Sequence, residues 1–333
     1  MNNTDFYDLI YTVPLSELRE RYPVAQDFFE NLNIPPLDES QPLPDALMDV
    51  DAQWLDEFGI TRQEIADQLA SFLGTMTESE PARSIGCLTI IGGTDKNGAP
   101  EDITLDILPG SVVSIVGPTG SGKSRLLADI ECLAQGDTPT ARRVLIDGAA
   151  VPEDERFTLE GKLVAQLSQN MNFVMDLSVM EFLEMHARSR SIETDETVLR
   201  ECFECANSLA GESFGSDTKV TQLSGGQSRA LMIADCAFIS QSPIVLIDEI
   251  ENAGVDRRAA VAILAKREKI VLISTHDPLL ALGADRRIVI KNGGIFRVIE
   301  TSPREREAAA EFERIDRQLS DARAKLRSGE RLE

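Results

Sequence analysis

The chain has 333 residues, 42% hydrophobic and 27% charged, with a net charge of −23, so it has apolar material for a core and a surface that repels a phosphate backbone. Nucleic acid is therefore set aside as a main partner. The N-terminus lacks the basic and apolar regions of a signal peptide, and no apolar run approaches the roughly 20 residues that cross a bilayer. The five cysteines are too unevenly spaced for a disulfide framework, and a soluble, cytoplasmic protein with no membrane span of its own is expected.

Residues 1–84 read as a small all-α domain. Up to Arg83 this segment holds 17 acidic and 4 basic residues, a net of −13. Its acidity fits either a solvated surface or a docking face for a partner. Leu18, Tyr22, Val24, Phe28 and Phe29 recur near helical spacing and predict a helix over Leu15–Leu32. A Pro-rich loop, Pro35–Pro44, follows, and then two more helices over Leu47–Phe58 and Thr61–Leu73. Thr61 with Glu64 three residues on is a capping-box signal.

Residues 85–300 change to short β-type runs: Cys87–Ile91, Ile103–Leu108, Val112–Val116, Val144–Ile146, Leu163–Leu167, Ile244–Ile247, Ile270–Ser274 and Arg287–Ile290. Helical stretches separate several of them, the pattern of a parallel sheet wrapped by helices. Lys291-Asn292-Gly293-Gly294 marks a tight turn. Residues 301–333 form a charged C-terminal helix in which Phe312, Ile315, Leu319, Ala322 and Leu326 recur at three- and four-residue steps. This narrow apolar seam suits packing on its own domain or on another chain.

Chemistry concentrates in two segments. Gly117-Pro118-Thr119-Gly120-Ser121-Gly122-Lys123-Ser124 follows the strand Val112–Val116 and precedes a helical stretch, the context a P-loop requires. Its glycines let backbone N–H groups face phosphates at a helix N-terminus. Lys123 is suited to the β- and γ-phosphates, and Ser124 to Mg²⁺. The buried run Ile244–Ile247 ends in Asp248 and Glu249, the first suited to a Mg²⁺ shell and the second to polarising an attacking water.

Leu223-Ser224-Gly225-Gly226-Gln227 resembles the signature sequence of ATP-binding-cassette (ABC) ATPases. Gln169, with Ser178-Val179 beyond it, resembles that family's Q-loop. His276 in Ser274-Thr275-His276-Asp277 resembles its switch histidine, and Asp256 stands at the D-loop position. The resemblance spans roughly Cys87 to Glu300. It implies an α/β P-loop NTPase of ABC type with a helical subdomain, using ATP and Mg²⁺. It further implies that Ser224, Gly225 and Gly226 of one subunit cap the γ-phosphate held by the P-loop of another. Gln169, as a metal-site and water-positioning residue, and His276 would complete catalysis with Glu249. Each motif occurs once, so a complete site needs a second cassette, a homodimer being the expected form.

The chain departs from the family pattern in three places. No Phe, Tyr or Trp lies between Phe72 and Phe157, so an aromatic platform for adenine is missing upstream of the P-loop, and weak base selectivity is expected unless Phe28, Phe29 or Trp54 is lent from the first domain. The run after Glu249 lacks the Pro of many transporter cassettes, and the text after Gln227 differs from usual transporter wording. Cys202 and Cys205 form a Cys-x-x-Cys that reads as two helix-packing thiols or as a metal or redox pair. His186 reads as structural. Val13–Ile34 and Leu47–Leu73 resemble the helical domain fronting iron–sulfur-repair di-iron proteins, with Pro35-Pro36 where that domain has a cysteine pair. The expected function is ATP-driven conformational work on a soluble protein client, such as a metallocofactor enzyme in maturation or activation, with the ATPase subunit of a membrane transporter as the alternative.

Overall fold

A computed structural model describes residues 3–22, 24–32, 34–51, 54–55, 59–77, 84–156, 162–168, 173–189, 196–249 and 255–331. The chain divides into two compact units, Met1–Glu80 and Pro81–Glu333.

The first unit is helical: α1 (Asn3–Thr12), α2 (Leu15–Arg21), α3 (Val24–Asn31), the single turn α4 (Leu43–Ala46) and α5 (Arg62–Thr77). Phe6, Ile10, Leu15, Leu18, Phe28, Phe29, Leu43, Leu47, Ile65, Leu69 and Leu73 form its core. The single helix expected over Leu15–Leu32 is two helices. Tyr22, the residue before Pro23, takes φ −132° and ψ 81°, outside the helical region that a following proline disfavours. The predicted capping box is present: the Thr61 N–H donates to Glu64 Oε2 at 2.7 Å and the Glu64 N–H donates to Thr61 Oγ1 at 3.2 Å. Arg62 then donates to the carbonyls of Leu47 and Val50, tying α5 to the preceding turn. Of the helix expected over Leu47–Phe58, Leu47–Asp49 is a 3-10 turn, and residues 52, 53 and 56–58 lie outside the described residues.

The second unit holds two sheets. Strands β1 (Leu88–Ile91), β2 (Thr104–Ile107), β3 (Val112–Val116), β4 (Arg143–Ile146), β5 (Ala149–Ala150), β6 (Val164–Leu167), β7 (Ile244–Asp248), β8 (Ile270–Ser274), β9 (Arg286–Lys291) and β10 (Gly294–Glu300) are shared between them. The larger sheet has the order β10-β9-β3-β8-β7-β6, parallel from β9 to β6, with β10 antiparallel at the edge. The smaller one, β2-β1-β4-β5, is antiparallel. The expected parallel sheet wrapped by helices is present, and β1, β2 and β4 stand outside it in the antiparallel sheet. No helix separates β1 from β2, and without a crossover the chain returns antiparallel.

The helices of this unit are α6 (Lys123–Glu131), the short α7 (Glu153–Arg156), α8 (Val179–Arg188), α9 (Glu196–Leu209), α10 (Gly225–Phe238), α11 (Arg257–Lys266), α12 (Pro278–Gly283) and α13 (Pro303–Arg327). The two sheets close on one core around Leu88, Ile90, Ile115, Leu126, Ile130, Leu246 and Leu272. A separate cluster of Val179, Phe182, Leu183, Cys202, Ala206, Leu231 and Ala234 joins α8, α9 and α10 into a helical subdomain. No described helix is long and apolar enough to cross a membrane.

Candidate active site

The central strands β3, β7 and β8 are buried along almost their whole length, and their C-terminal ends carry the candidate groups. Past β3 the chain enters the P-loop. A Cβ on Gly117 would lie 2.5 Å from the Ile290 carbonyl oxygen, and one on Gly122 would lie 2.9 Å from the Gly293 Cα. Gly120 and Gly122 also take positive φ, 75° and 109°. Glycine is thus required by both backbone conformation and close approach. The Gly293 N–H donates to the Ser121 carbonyl at 2.7 Å, so the β9–β10 turn braces the loop.

Lys123 begins α6 and is only 6% exposed. Its Nζ donates to the Gly117 carbonyl at 3.0 Å and lies 3.0 Å from His276 Nε2. His276 Nε2 in turn lies 3.7 Å from Glu249 Oε1. Lys123 thus converges with two residues more than a hundred positions further along the chain, where a phosphate group can be held and water activated. Glu249 adopts φ 47°, a left-handed conformation rare for a non-glycine residue, while its N–H donates to the Ser274 carbonyl at 3.1 Å. That kink breaks strand alternation just after Asp248. Asp248 pairs in register with Ser274, at the same end of the sheet.

The second candidate element is built by a capping box. Ser224 Oγ accepts the Gln227 N–H at 3.3 Å, and Gln227 Oε1 accepts the Ser224 N–H at 2.8 Å. Gln227 Nε2 also donates to the Glu212 carbonyl. With its cap closed, the N-terminus of the 14-residue α10 presents the Gly225 and Gly226 backbone at the positive end of a helix. Asp256 caps α11 through the Ala259 N–H at 3.0 Å, and its own N–H donates to the Leu209 carbonyl, linking this segment to the helical subdomain. Gln169 lies outside the described residues; β6, which leads toward it, ends at Leu167.

Some supporting residues carry no spacing signal in the sequence. Arg142 is fully buried and donates to Glu101, to Asp129 on α6 and to the Gly293 carbonyl. It ties the β1–β2 loop, the P-loop helix and the bracing turn together. Burial alone would raise the Glu101 pKa, but hydrogen bonds from Arg142, its charge, and the N–H groups of Gly93 and Ile295 outweigh this and hold it below the ordinary value. Lys96 in that loop donates to the Gly120 carbonyl at 2.9 Å, setting a second ammonium against the P-loop. His186, read as structural, has Nδ1 3.0 Å from buried Asp235 Oδ1. Cys202 is buried, and desolvation pushes its thiol and that of Cys205 upward, the reverse of a reactive pair. No group of metal-ligating side chains occurs among the described residues.

A P-loop between a buried strand and its helix, two carboxylates at the end of another strand of the same sheet and a histidine beside them define a nucleoside-triphosphate hydrolase. A family model described as "ABC transporter" matches residues 100–252. An uncharacterised ABC transporter ATP-binding protein of Methanocaldococcus jannaschii is 53% identical over 246 residues, covering 74% of this chain and 94% of that protein. The macrolide export ATP-binding/permease protein MacB of Bradyrhizobium diazoefficiens is 32% identical over 224 residues, covering 66% of this chain and 34% of that longer protein. Among solved structures, cbiO1 from Clostridium perfringens, part of the ABC transporter complex cbiONQ, shares the fold at 22% identity and a TM-score of 0.50, covering 70% of this chain and 94% of that one. The chain belongs to the ABC ATPase family, and it is an ATP-binding protein of that family.

Proposed function

We propose that two copies of this chain bind two ATP molecules head to tail and hydrolyse them, driving conformational work on a membrane-embedded transport partner. The observation that carries the dimer is the single, self-capped helix terminus at Ser224–Gln227. Its hydrogen bonds close on the motif itself and on Glu212, and among the described residues none reaches the P-loop. An anion-binding helix end that its own nucleotide site does not use is suited to the γ-phosphate held by a second copy. In that arrangement Lys123 holds the phosphates, Glu249 polarises the water and His276 steadies the γ-phosphate beside both. Gln169 is assigned to water positioning and Asp256 to the segment between the two sites.

Mg²⁺ fits the residues present: Ser124, exposed in the first turn of α6, and Asp248, half-buried at the end of β7, offer the oxygen donors that this hard cation takes. When bound, it would neutralise charge on the phosphates.

The chain's similarity to ABC transporter ATP-binding and export proteins supports transport over a soluble client, for which the comparisons offer no support. Fractionation of host cells tests the choice. A transporter subunit should sediment with membranes at physiological salt and be released when its membrane partner is deleted. Full recovery in the supernatant, with ATPase activity intact, would return the soluble client to first place.

A further inference from the structure

Helix α13 divides its surface between two stripes. On one, Ala309 is buried, and Glu305, Glu313 and Asp316 pair with Arg287, Arg258 and Arg257 of its own domain. On the other, Phe312, Ile315, Leu319 and Leu326 are 41% to 60% exposed, with half-buried Ala322 completing the row. At 100° per residue the stripes are centred roughly 90° apart, so the helix can hold its own domain and a partner at once. The exposed row steps by three, four, three and four, the spacing of a two-stranded coiled-coil seam. Large apolar side chains lined up in this way mark an interaction surface.

Charge along α13 selects the occupant. Residues 303–313 carry four acidic and two basic side chains, whereas 314–327 carry five basic and two acidic. A second α13 laid antiparallel sets the acidic half of each copy against the basic half of the other, and a parallel one sets like against like. The position agrees: Arg257 and Arg258, which grip α13, directly follow Asp256, the segment assigned to the interface of the nucleotide dimer. We infer that α13 pairs antiparallel with α13 of a second copy, making a contact that needs no nucleotide and keeps two cassettes together while their ATP sites open. This rests on the head-to-tail dimer in that both contacts join the same two copies; only one of them depends on ATP.

Sedimentation velocity on the full chain without nucleotide separates the two. Wild type should be dimeric at tens of micromolar, and Leu319→Asp or Ile315→Asp should raise the dimer dissociation constant at least about tenfold. Both sites are exposed, so thermal melting should hardly move. In a Glu249→Gln background, ATP should still dimerise Leu319→Asp. Failure there, with wild type dimeric in the absence of nucleotide, would sink the head-to-tail model and leave the α13 contact standing. A wild type that stays monomeric without nucleotide, or a Leu319→Asp that stays dimeric, overturns the α13 contact. Orientation follows from cysteine pairs. Antiparallel layers that set acidic turns against basic ones place Phe312 opposite Ala322 of the other copy, so Phe312→Cys should form a disulfide with Ala322→Cys. The two Leu326→Cys sites should not join each other, being roughly 27 Å apart at 1.5 Å per residue. Efficient joining of Leu326→Cys to itself means a parallel pair and refutes the proposal.

Discussion

The P-loop face and the signature helix differ in where their hydrogen bonds go. On the first, Lys123 meets His276, His276 meets Glu249, and the loop beneath is braced by the β9–β10 turn and by buried Arg142. On the second, Ser224 and Gln227 satisfy each other, and what they leave is a helix terminus with no phosphate site of its own. The first face gathers reactive groups from three strands and is costly to assemble. The second is local and complete within four residues, and in the proposed dimer its helix end meets a phosphate that another copy brings. Chemistry and assembly can therefore be broken separately, by substitutions on different faces.

The largest effect is expected on the first face. Glu249→Gln keeps the shape of the side chain and removes the base, so phosphate release should fall by roughly 10²–10⁴-fold while ATP is still bound. Turnover equal to wild type would remove Glu249 from the role assigned to it. Lys123→Ala should instead lose nucleotide binding in calorimetry. On the second face, Ser224→Arg should leave ATP binding to the isolated chain unchanged but abolish ATP-driven association in the Glu249→Gln background. If Ser224→Arg instead weakens binding at high dilution as much as Lys123→Ala does, the two faces belong to one site within a chain, and the comparison above collapses.

A smaller effect tests the bracing that only the first face has. Arg142→Ala strands two carboxylates, Glu101 and Asp129, and removal of one partner from a buried ion cluster costs about 3–5 kcal/mol. Denaturant unfolding of the second unit within the full chain measures it. The same cluster sets a pH response. The folded pKa of Glu101 is depressed, so its contribution is fully present above the ordinary carboxylate value near 4.3 and is lost as pH falls through the lower folded value. Wild type should therefore lose more stability than Arg142→Ala across that acid window. Parallel acid profiles would mean that Arg142 is not what holds Glu101 ionised.

How much of this was legible in sequence follows from how local each feature is. The P-loop, the strand ending at Asp248 and the Thr61–Glu64 box lie within a few residues of their partners, and chain order is enough to recognise them. The Tyr22–Pro23 break was also written in the sequence, but helical spacing over Leu15–Leu32 hid it. Strand partnership was not legible. β1, β2 and β4 look like the central strands in composition; the missing crossover helix tells β1 and β2 apart, but β4 follows α6 and no such signal marks it. The left-handed Glu249 and the Arg142 cluster depend on residues 13 to 151 positions away, for which one sequence carries no spacing rule. Phe28 and Phe29, considered as lent adenine platforms, are buried in the core of the first unit and are not free to be lent.

That last point sharpens the smallest prediction, which concerns the base of the nucleotide. The β1–β2 loop approaches the P-loop through Lys96 and offers no aromatic ring, so stacking worth roughly 1–3 kcal/mol is not available from it. The phosphates, held by Lys123 and the loop's N–H groups, should then dominate affinity, and neither contact reads a purine. ATP and GTP are expected to bind within about tenfold of each other, a gap of at most roughly 1.4 kcal/mol, in calorimetry on Glu249→Gln. One exposed aromatic does lie near the bracing turn: Phe296 on β10, 61% exposed, with Lys291 Nζ 5.2 Å from its ring centre. If ATP is preferred a hundredfold or more, Phe296→Ala decides why. Loss of that preference would make Phe296 the platform, and its persistence would place the base-reading group elsewhere. With the expected near-equality, Phe296→Ala should leave the ATP-to-GTP ratio where it was.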